Sequence, residues 1–332
     1  MEEKKVSIIS IVYQVEPYIR QCLDSLLAQT YQNLQLILVV GVKENGDGDN
    51  ACLSICREYA DRDPRITLVA SPARGIADAR NVGLAHVQGD LIGFVDGDDW
   101  VDEDYVTSLV TQLEKTGSDI AVCGRYYEFQ NRTGADAASD TTVLTPQEAM
   151  RTIINGTGFF LHLWDKLFQR SLWDHVVFPT DHVVEDRIIV NRIIGDAGSI
   201  SYNSTPKYHF RERSGSNSKK PGMAWHNAEA NRMLCTYVME HFPALKNETG
   251  RFYLQEILTS LQNLLVTKEH SRDEKDTFTR EIRKIAKDNR NNPLIDRKLK
   301  IKTALALYVP MILKQVTKHH QTRDMGENRR YE

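Results

Sequence analysis

Between Val6 and Val95 the sequence alternates short apolar, β-prone runs with segments of helical spacing, and this alternation restricts the fold more than any other feature. Val6 to Tyr13 is apolar and β-branched, and Pro17 to Ala28 then places Tyr18, Ile19, Cys22, Leu23, Leu26 and Leu27 at helical spacing. Pro17 suits the first turn of that helix, where a missing N–H costs nothing. Leu34 to Val40, Ile66 to Val69 and Leu91 to Val95 read as further strands, with Asn50 to Tyr59 and Ile76 to His86 as the helices between them. A βαβα order predicts a mostly parallel sheet with helices on both faces, joined by right-handed crossovers. Asp102 to Lys115 continues as helix and Asp119 to Phe129 as strand, while the polar stretch Asn131 to Thr142 reads as a surface loop.

The fourth strand runs straight into Asp96-Gly97-Asp98-Asp99, three carboxylates within four residues. In open α/β sheets ligands sit where strands leave the sheet, so the placement suits a metal-diphosphate site. Mg²⁺ and Mn²⁺ take oxygen ligands, commonly one or two carboxylates completed by substrate phosphates and water. An acidic turn whose first Asp caps a helix beginning near Val101 is the other reading of the same residues.

Bulk properties narrow the classes. A chain of 332 residues can bury a sizeable core and predicts one large domain with an appendage, or two domains. Its 42 basic and 45 acidic side chains leave a formal charge of −3, without a global field toward nucleic acid. The charged start Met1 to Lys5 passes directly into a strand-like run with no signal-peptide core, which predicts a cytoplasmic protein. The five cysteines, at 22, 52, 56, 123 and 235, form neither a metal knuckle nor a disulfide framework and are expected as buried thiols. No stretch offers the roughly 18 uninterrupted apolar residues of a membrane span.

From Thr145 the pattern changes to short helices and irregular turns, among them Leu161 to Phe168 with Trp164 and Lys166. His182 to Val190 reads as a helix start with Glu185 and Asp186 in its first turn, a position that also complements a helix dipole. Ser199 to Phe210 resumes β character, and the chain beyond Pro221 reads as helical to about Val316. Its last piece, Leu299 to Lys318, carries Lys300, Lys302, Lys314 and Lys318 around Ile301, Leu305, Leu307, Val309, Ile312 and Leu313, with a break or kink at Pro310. It has the character of an amphipathic surface helix, or of a terminal helix packed on its own domain or on a partner subunit.

In order, Val6 to Tyr13, the helix end Cys22 to Tyr31, Gly75 to Gly83, Phe94 to Trp100, Trp164 to Phe168 and Glu185-Asp186 resemble the family 2 glycosyltransferases of the GT-A fold, over about residues 5 to 215. The resemblance implies a GT-A domain over 1–218, with a nucleotide-binding half of about 1–125 and an acceptor half of about 126–218. A helical region over 219–332 would follow, for oligomerisation or membrane-surface contact. It also implies an inverting enzyme that moves a hexose or N-acetylhexosamine from a nucleotide-diphosphate sugar, expected to be a UDP-sugar. The acceptor would be a hydroxyl of a glycan, a lipid-linked or a protein-linked molecule in surface polysaccharide or glycoconjugate synthesis. By match to the family motif, Asp98 contacts the Mn²⁺ or Mg²⁺ ion, with Asp96 toward the ribose or the metal shell and Asp99 in support. Asp186 is the expected base beside Glu185. Ile11, Val12 and Tyr13 would hold the nucleotide base. Gly97, Arg80 and Asn81 would lie near the donor, Arg211 and Arg213 in a basic segment that closes over the diphosphate, and Trp164 and Lys166 on the acceptor side.

Other roles for several of these residues follow from the sequence alone. Arg80 also fits a buried salt bridge that steadies the acidic loop, Trp164 also fits core packing, and Arg211 and Arg213 also fit a solvated loop. After the second strand the family usually carries two aspartates, where this chain has Val40 and Gly41 and a turn lengthened by about five residues. Asp47 and Asp49 of that longer turn are candidates to restore contact with the base, with Glu44 or backbone alone as the alternatives. A GT-A shell that binds a nucleotide or a partner without turnover is the first competing reading. A nucleotidyltransferase is the second, but it would want a Gly-rich basic loop that Val12 to Glu16 lacks.

Overall fold

The β-branched N-terminal runs form one half of a ten-stranded mixed sheet. In the computed structural model, which describes residues 3–42, 50–72, 74–213, 222–266, 272–315 and 317, the chain divides into two compact units, Met1–Arg213 and Ser214–Glu332. Asp47 and Asp49 lie outside the described residues.

The first unit runs β1 (Val6–Val12), α1 (Glu16–Leu27), β2 (Leu34–Val42), α2 (Asn50–Ala60), β3 (Ile66–Pro72), α3 (Ile76–Leu84) and β4 (Leu91–Phe94). It continues through β5 (Trp100–Val101), α4 (Tyr105–Thr116), β6 (Ile120–Glu128), β7 (Thr133–Ala135), β8 (Thr142–Leu144), α5 (Pro146–Asn155), β9 (Lys166–Gln169), α6 (Glu185–Asp196) and β10 (Ile200–Arg211). The sheet order is β3-β2-β1-β4-β9-β6-β10-β5, with β7 on β6 and β8 on β10. β1, β2, β3 and β4 pair in parallel, as do β6 and β10, and β9 lies antiparallel between β4 and β6. Strands covered on both faces need no polar alternation, and β2 accordingly keeps Leu34, Leu36, Ile37, Leu38, Val39 and Val40 all buried. Pro17 occupies the first turn of α1, and all five cysteines are free and buried, as expected.

Two sequence expectations change. The stretch expected as a loop from Asn131 to Thr142 contains β7, which folds back on β6 because Asp136 takes the Arg125 backbone N–H at 3.0 Å and its guanidinium Nε at 2.8 Å. The acidic turn does not cap the helix that follows it. Trp100 and Val101 first pair with His209 and Tyr208 of β10, and α4 begins only at Tyr105.

The second unit contains α7 (Met223–His241), α8 (Lys246–Val266), α9 (Arg272–Asp288) and α10 (Arg297–Tyr308). Leu254, Ile257, Leu258, Leu261 and Leu265 of α8 form its core with Phe278, Ile282 and Ile285 of α9 and with Ala306 and Leu313. Asp296 caps α10 by accepting the Leu299 N–H at 2.7 Å, and the helix stops before Pro310 and resumes over 310–315. The apolar residues of this segment divide between two sides. Leu299, Leu305 and Leu307 pack on the unit's core, whereas Ile301, Tyr308, Val309, Met311 and Ile312 are exposed. Among the described residues no helix is long and apolar enough to cross a membrane.

Candidate active site

The acidic motif leaves the sheet beside β1, the strand flanked by β2 on one side and β4 on the other. The Val95 N–H donates to Ile9 O at 3.1 Å, which keeps the chain on β1 for one residue beyond β4. Gly97 then passes so close to the end of β1 that an added Cβ would lie 2.9 Å from Ile11 O. Asp99 is buried and committed to β10: the Tyr208 hydroxyl donates to its Oδ2 at 2.7 Å and the Arg211 N–H to its Oδ1 at 2.8 Å. The same Tyr208 hydroxyl accepts the Asp96 N–H at 3.1 Å. With Asp99 fixed inward, Asp96 and Asp98 are the carboxylates left toward solvent, their side chains 37% and 21% exposed.

Arg80, on α3 behind a Gly75 whose φ is +130°, is buried between two acidic segments. Its guanidinium forms an ion pair with Glu185 at the start of α6 and stands 4.0 Å from Asp96. The salt-bridge reading of Arg80 is therefore the one the structure favours. The Asn81 side chain is committed to backbone. Its amide donates to Phe178 O at 2.9 Å and accepts the Phe178 N–H at 2.8 Å, a double clasp that leaves it serving the fold.

Charge crowding shapes the ionisation of these groups. Burial pushes the Asp96 carboxyl up to about 6, with Arg80 opposing and Asp98 and Asp186 adding repulsion; the open side of Asp96 lets water screen part of this. Burial likewise raises Glu185 to about 7 in spite of Arg80. Asp186 goes the other way: burial would lift it, but the His162 imidazole, Arg80 and Arg187 outweigh that and hold it at about 2. Asp186 therefore ionises more readily than Glu185, and its side chain is 21% exposed where that of Glu185 is closed in.

The acceptor-side residues need correction. Trp164 packs in the core, its ring stacked with those of His162, Tyr208 and Phe210. Lys166 is fully buried: its ammonium donates to Phe160 O at 2.8 Å, to His162 O at 2.7 Å and to Asp165 Oδ1, so it cannot steady a ligand charge. Both sit on a short strand inside the sheet or immediately before it, where a large aromatic and a satisfied ammonium fill space. The residue of this segment that reaches the site is His162, whose Nδ1 lies 4.0 Å from Asp186 Oδ2. Sequence reasoning missed it, although it stands two residues before Trp164. Tyr208 was also missed, and one side chain in a long strand carries no local signal of its role.

The basic residues after β10 close on the motif. Arg213 Nε donates to Asp98 Oδ2 at 2.6 Å, and Arg211 donates to Asp98 O at 2.9 Å and to Gln21 Oε1 at 2.6 Å. The Arg211 guanidinium also lies over the rings of Tyr18 and Trp100. Neither arginine is merely solvated. Of the three residues expected at the nucleotide base, Val12 is buried and offers only backbone, Ile11 is partly buried, and Tyr13 is exposed. Among the described residues no three His, Cys, Asp or Glu side chains gather around a common point for a metal. The hard-oxygen pair Asp96 and Asp98 nevertheless fits Mg²⁺ or Mn²⁺, which bind through one or two carboxylates and draw the remaining oxygens from phosphate and water.

A model of the family described as glycosyl transferase family 2 matches residues 7–181. The glycosyltransferase GlyA of Streptococcus pneumoniae is 29% identical over 246 residues, which cover 70% of this chain and 34% of that protein. The putative glycosyltransferase EpsH of Bacillus subtilis is 34% identical over 224 residues, 64% of this chain and 62% of that one. The chain thus spans about a third of the first relative and under two thirds of the second. Among solved structures, S. aureus TarS 1-349 in complex with UDP-GlcNAc has a TM-score of 0.71 at 17% identity, over 95% of this chain and 92% of that one, which is a likeness of fold.

Proposed function

We propose, from the premise that the chain belongs to glycosyl transferase family 2, that it transfers a hexose or N-acetylhexosamine from a UDP-sugar, with inversion, to a hydroxyl of a glycan, lipid-linked or protein-linked acceptor. One observation carries this reading. Arg80 lies between Asp96 on the donor side and the Glu185-Asp186 helix start, and so ties a cation-binding motif and a proton acceptor into one site. The UDP-GlcNAc held by the staphylococcal neighbour of the same fold supports the choice of a UDP-sugar.

In the proposed reaction the acceptor oxygen forms a bond to the anomeric carbon as the bond from that carbon to the diphosphate breaks, and the electron pair leaves with UDP. Asp186 takes the acceptor's proton, since it is the carboxylate of the pair that is partly open to solvent, whereas Glu185 is closed in on Arg80. Glu185 and Arg80 hold the start of α6 in place. Mn²⁺ or Mg²⁺ at Asp98, with Asp96 beside it, would supply Lewis-acid stabilisation of the charge growing on the leaving group. Arg211 and Arg213, which close on Asp98, serve the diphosphate, and Tyr13 serves the base. Residues of about 1–125 serve the donor and, Arg211 and Arg213 apart, about 126–218 the acceptor.

The second unit brings the enzyme to the inner face of the cell membrane, a reading supported by the exposed apolar residues of α10 and the helical turn after it. The test of the donor site is binding of a nucleotide-sugar panel with and without Mn²⁺, to the native chain and to Asp98→Ala. Metal-dependent binding of a UDP-sugar, lost in the variant, is the expected result. No metal-dependent binding of any nucleotide would overturn the reading and favour a shell without turnover.

A further inference from the structure

We infer that His162 is a positioning residue for Asp186, and that Lys166 fixes His162 in turn by holding the backbone that carries it. The inference rests on the reading of Asp186 as the base. It begins at Lys166, whose buried ammonium spends two of its three donors on the carbonyl oxygens of Phe160 and His162. An ammonium removed from water needs every donor satisfied, so those two carbonyls are held with little freedom. The segment from Phe160 to Asp165 is thereby set from inside the sheet. Its side chains follow: the His162 ring lies at 12° to that of Trp164 with centroids 4.9 Å apart, and Trp164 is itself packed on Tyr208 and Phe210.

This stack fixes the plane of the imidazole and leaves its Nδ1 4.0 Å from Asp186 Oδ2. Asp186 Oδ1 accepts the Arg187 N–H at 2.8 Å, which anchors one oxygen of the carboxylate and leaves the other facing the imidazole. The His162 contact is long for a hydrogen bond. Catalytic hydrogen bonds commonly are long before substrate binds and tighten in the complex. A misplacement of about 1 Å in a reacting group can cost roughly 100-fold in rate, which is the scale on which this positioning acts.

Two substitutions separate positioning from ring packing. His162→Phe keeps a flat ring on Trp164 and removes the nitrogen, whereas His162→Gln loses the ring and keeps an N–H donor. The measurement is steady-state release of UDP, with water as the acceptor, from UDP-GlcNAc or from whichever UDP-sugar binds in the panel. For His162→Phe the expected result is a fall in kcat of about 10- to 100-fold with the donor KM within about 2-fold of native, and partial recovery of kcat in His162→Gln. Added imidazole is expected to raise the turnover of His162→Gly and leave that of Asp186→Asn unchanged, a readout that does not depend on Phe being accommodated. Native kcat in His162→Phe, or absence of rescue in His162→Gly, would overturn the inference. Undiminished turnover in Asp186→Asn would instead remove the base assignment itself, so the two failures are distinguishable.

Discussion

Arg80 sets the electrostatics of the site because it is one cation facing three carboxylates, Asp96, Glu185 and Asp186. The consequence for stability has a definite sign. Glu185 is pushed up to about 7 from 4.5 by burial, so the folded state holds its proton more tightly than the unfolded chain does. The stability it contributes is complete below about pH 4.5 and is lost as pH rises through 7, on the order of 3 kcal/mol. Asp186, held at about 2, contributes stability that is present above about pH 4 and lost as pH falls through 2. Urea midpoints measured from pH 5 to 8 should therefore fall, and Glu185→Gln should flatten that slope whatever it does to the absolute midpoint; an equal slope in the variant would refute the assignment. Lys166→Met tests the buried clasp. It strands Asp165 and two carbonyls, with an expected loss of about 3 to 5 kcal/mol and a urea midpoint that drops at every pH. Asp96 and Asp98 were legible because carboxylates at a strand end have a chemical reason to be there, whereas Glu185 and Asp186, which alone fit first-turn acids that complement a helix dipole, stood out through their resemblance to the family motif. Asn81, Trp164 and Lys166 were legible as residues of the segment but not in their orientation, since neither spacing nor composition tells whether an amide, a ring or an ammonium turns inward. His162 carried no such pattern and became visible only once Trp164 and Asp186 were placed around it.

At the level of elements, the parallel half of the sheet could be read directly because β1 to β4 each carry an apolar run bounded by helical spacing. The antiparallel pieces could not. β5, β7 and β9 have two to four residues each, too few for a period, and they are strands only because β10, β6 and β4 offer them a ladder. Two glycines show how tightly these pieces meet. At Gly97 the turn of the acidic motif touches the end of β1, and Gly97→Ala would push Ile11 O and the motif apart. The expected outcome is UDP-sugar binding in Mn²⁺ weakened by about 10-fold, a cost of about 1.4 kcal/mol, in a protein that still folds. Unchanged affinity would show that the motif does not need its seat on β1. At Gly124 an added Cβ would lie 1.9 Å from Ser204 O, where the β6 and β10 ladder shifts register. Neither strand can yield there without breaking ladder bonds, so Gly124→Ala should cost about 3 kcal/mol or more by urea unfolding.

For the whole molecule the proposed membrane contact rests on one segment of the second unit. From Arg297 to Lys314 the sequence holds Arg297, Lys298, Lys300, Lys302 and Lys314 and no carboxylate. On the same stretch Tyr308 is 79% and Met311 68% exposed, with Ile301, Val309 and Ile312 also open. Exposed apolar side chains that insert at the boundary of the acyl chains, on a segment whose charges are all cationic, suit the surface of an anionic bilayer. Each cation near such a surface contributes about 1 kcal/mol at moderate ionic strength, and the attraction decays over a Debye length of roughly 10 Å at 0.1 M salt. The full chain should therefore sediment with vesicles containing phosphatidylglycerol, less with purely zwitterionic vesicles, and less again as salt rises. Met311→Asp should abolish this binding while leaving the unfolding midpoint unchanged, because Met311 lies outside the unit's core. Failure of the native chain to sediment with any vesicle, together with a dimer in analytical ultracentrifugation that Met311→Asp dissociates, would assign the face to a second copy of the chain and remove the membrane from the reading.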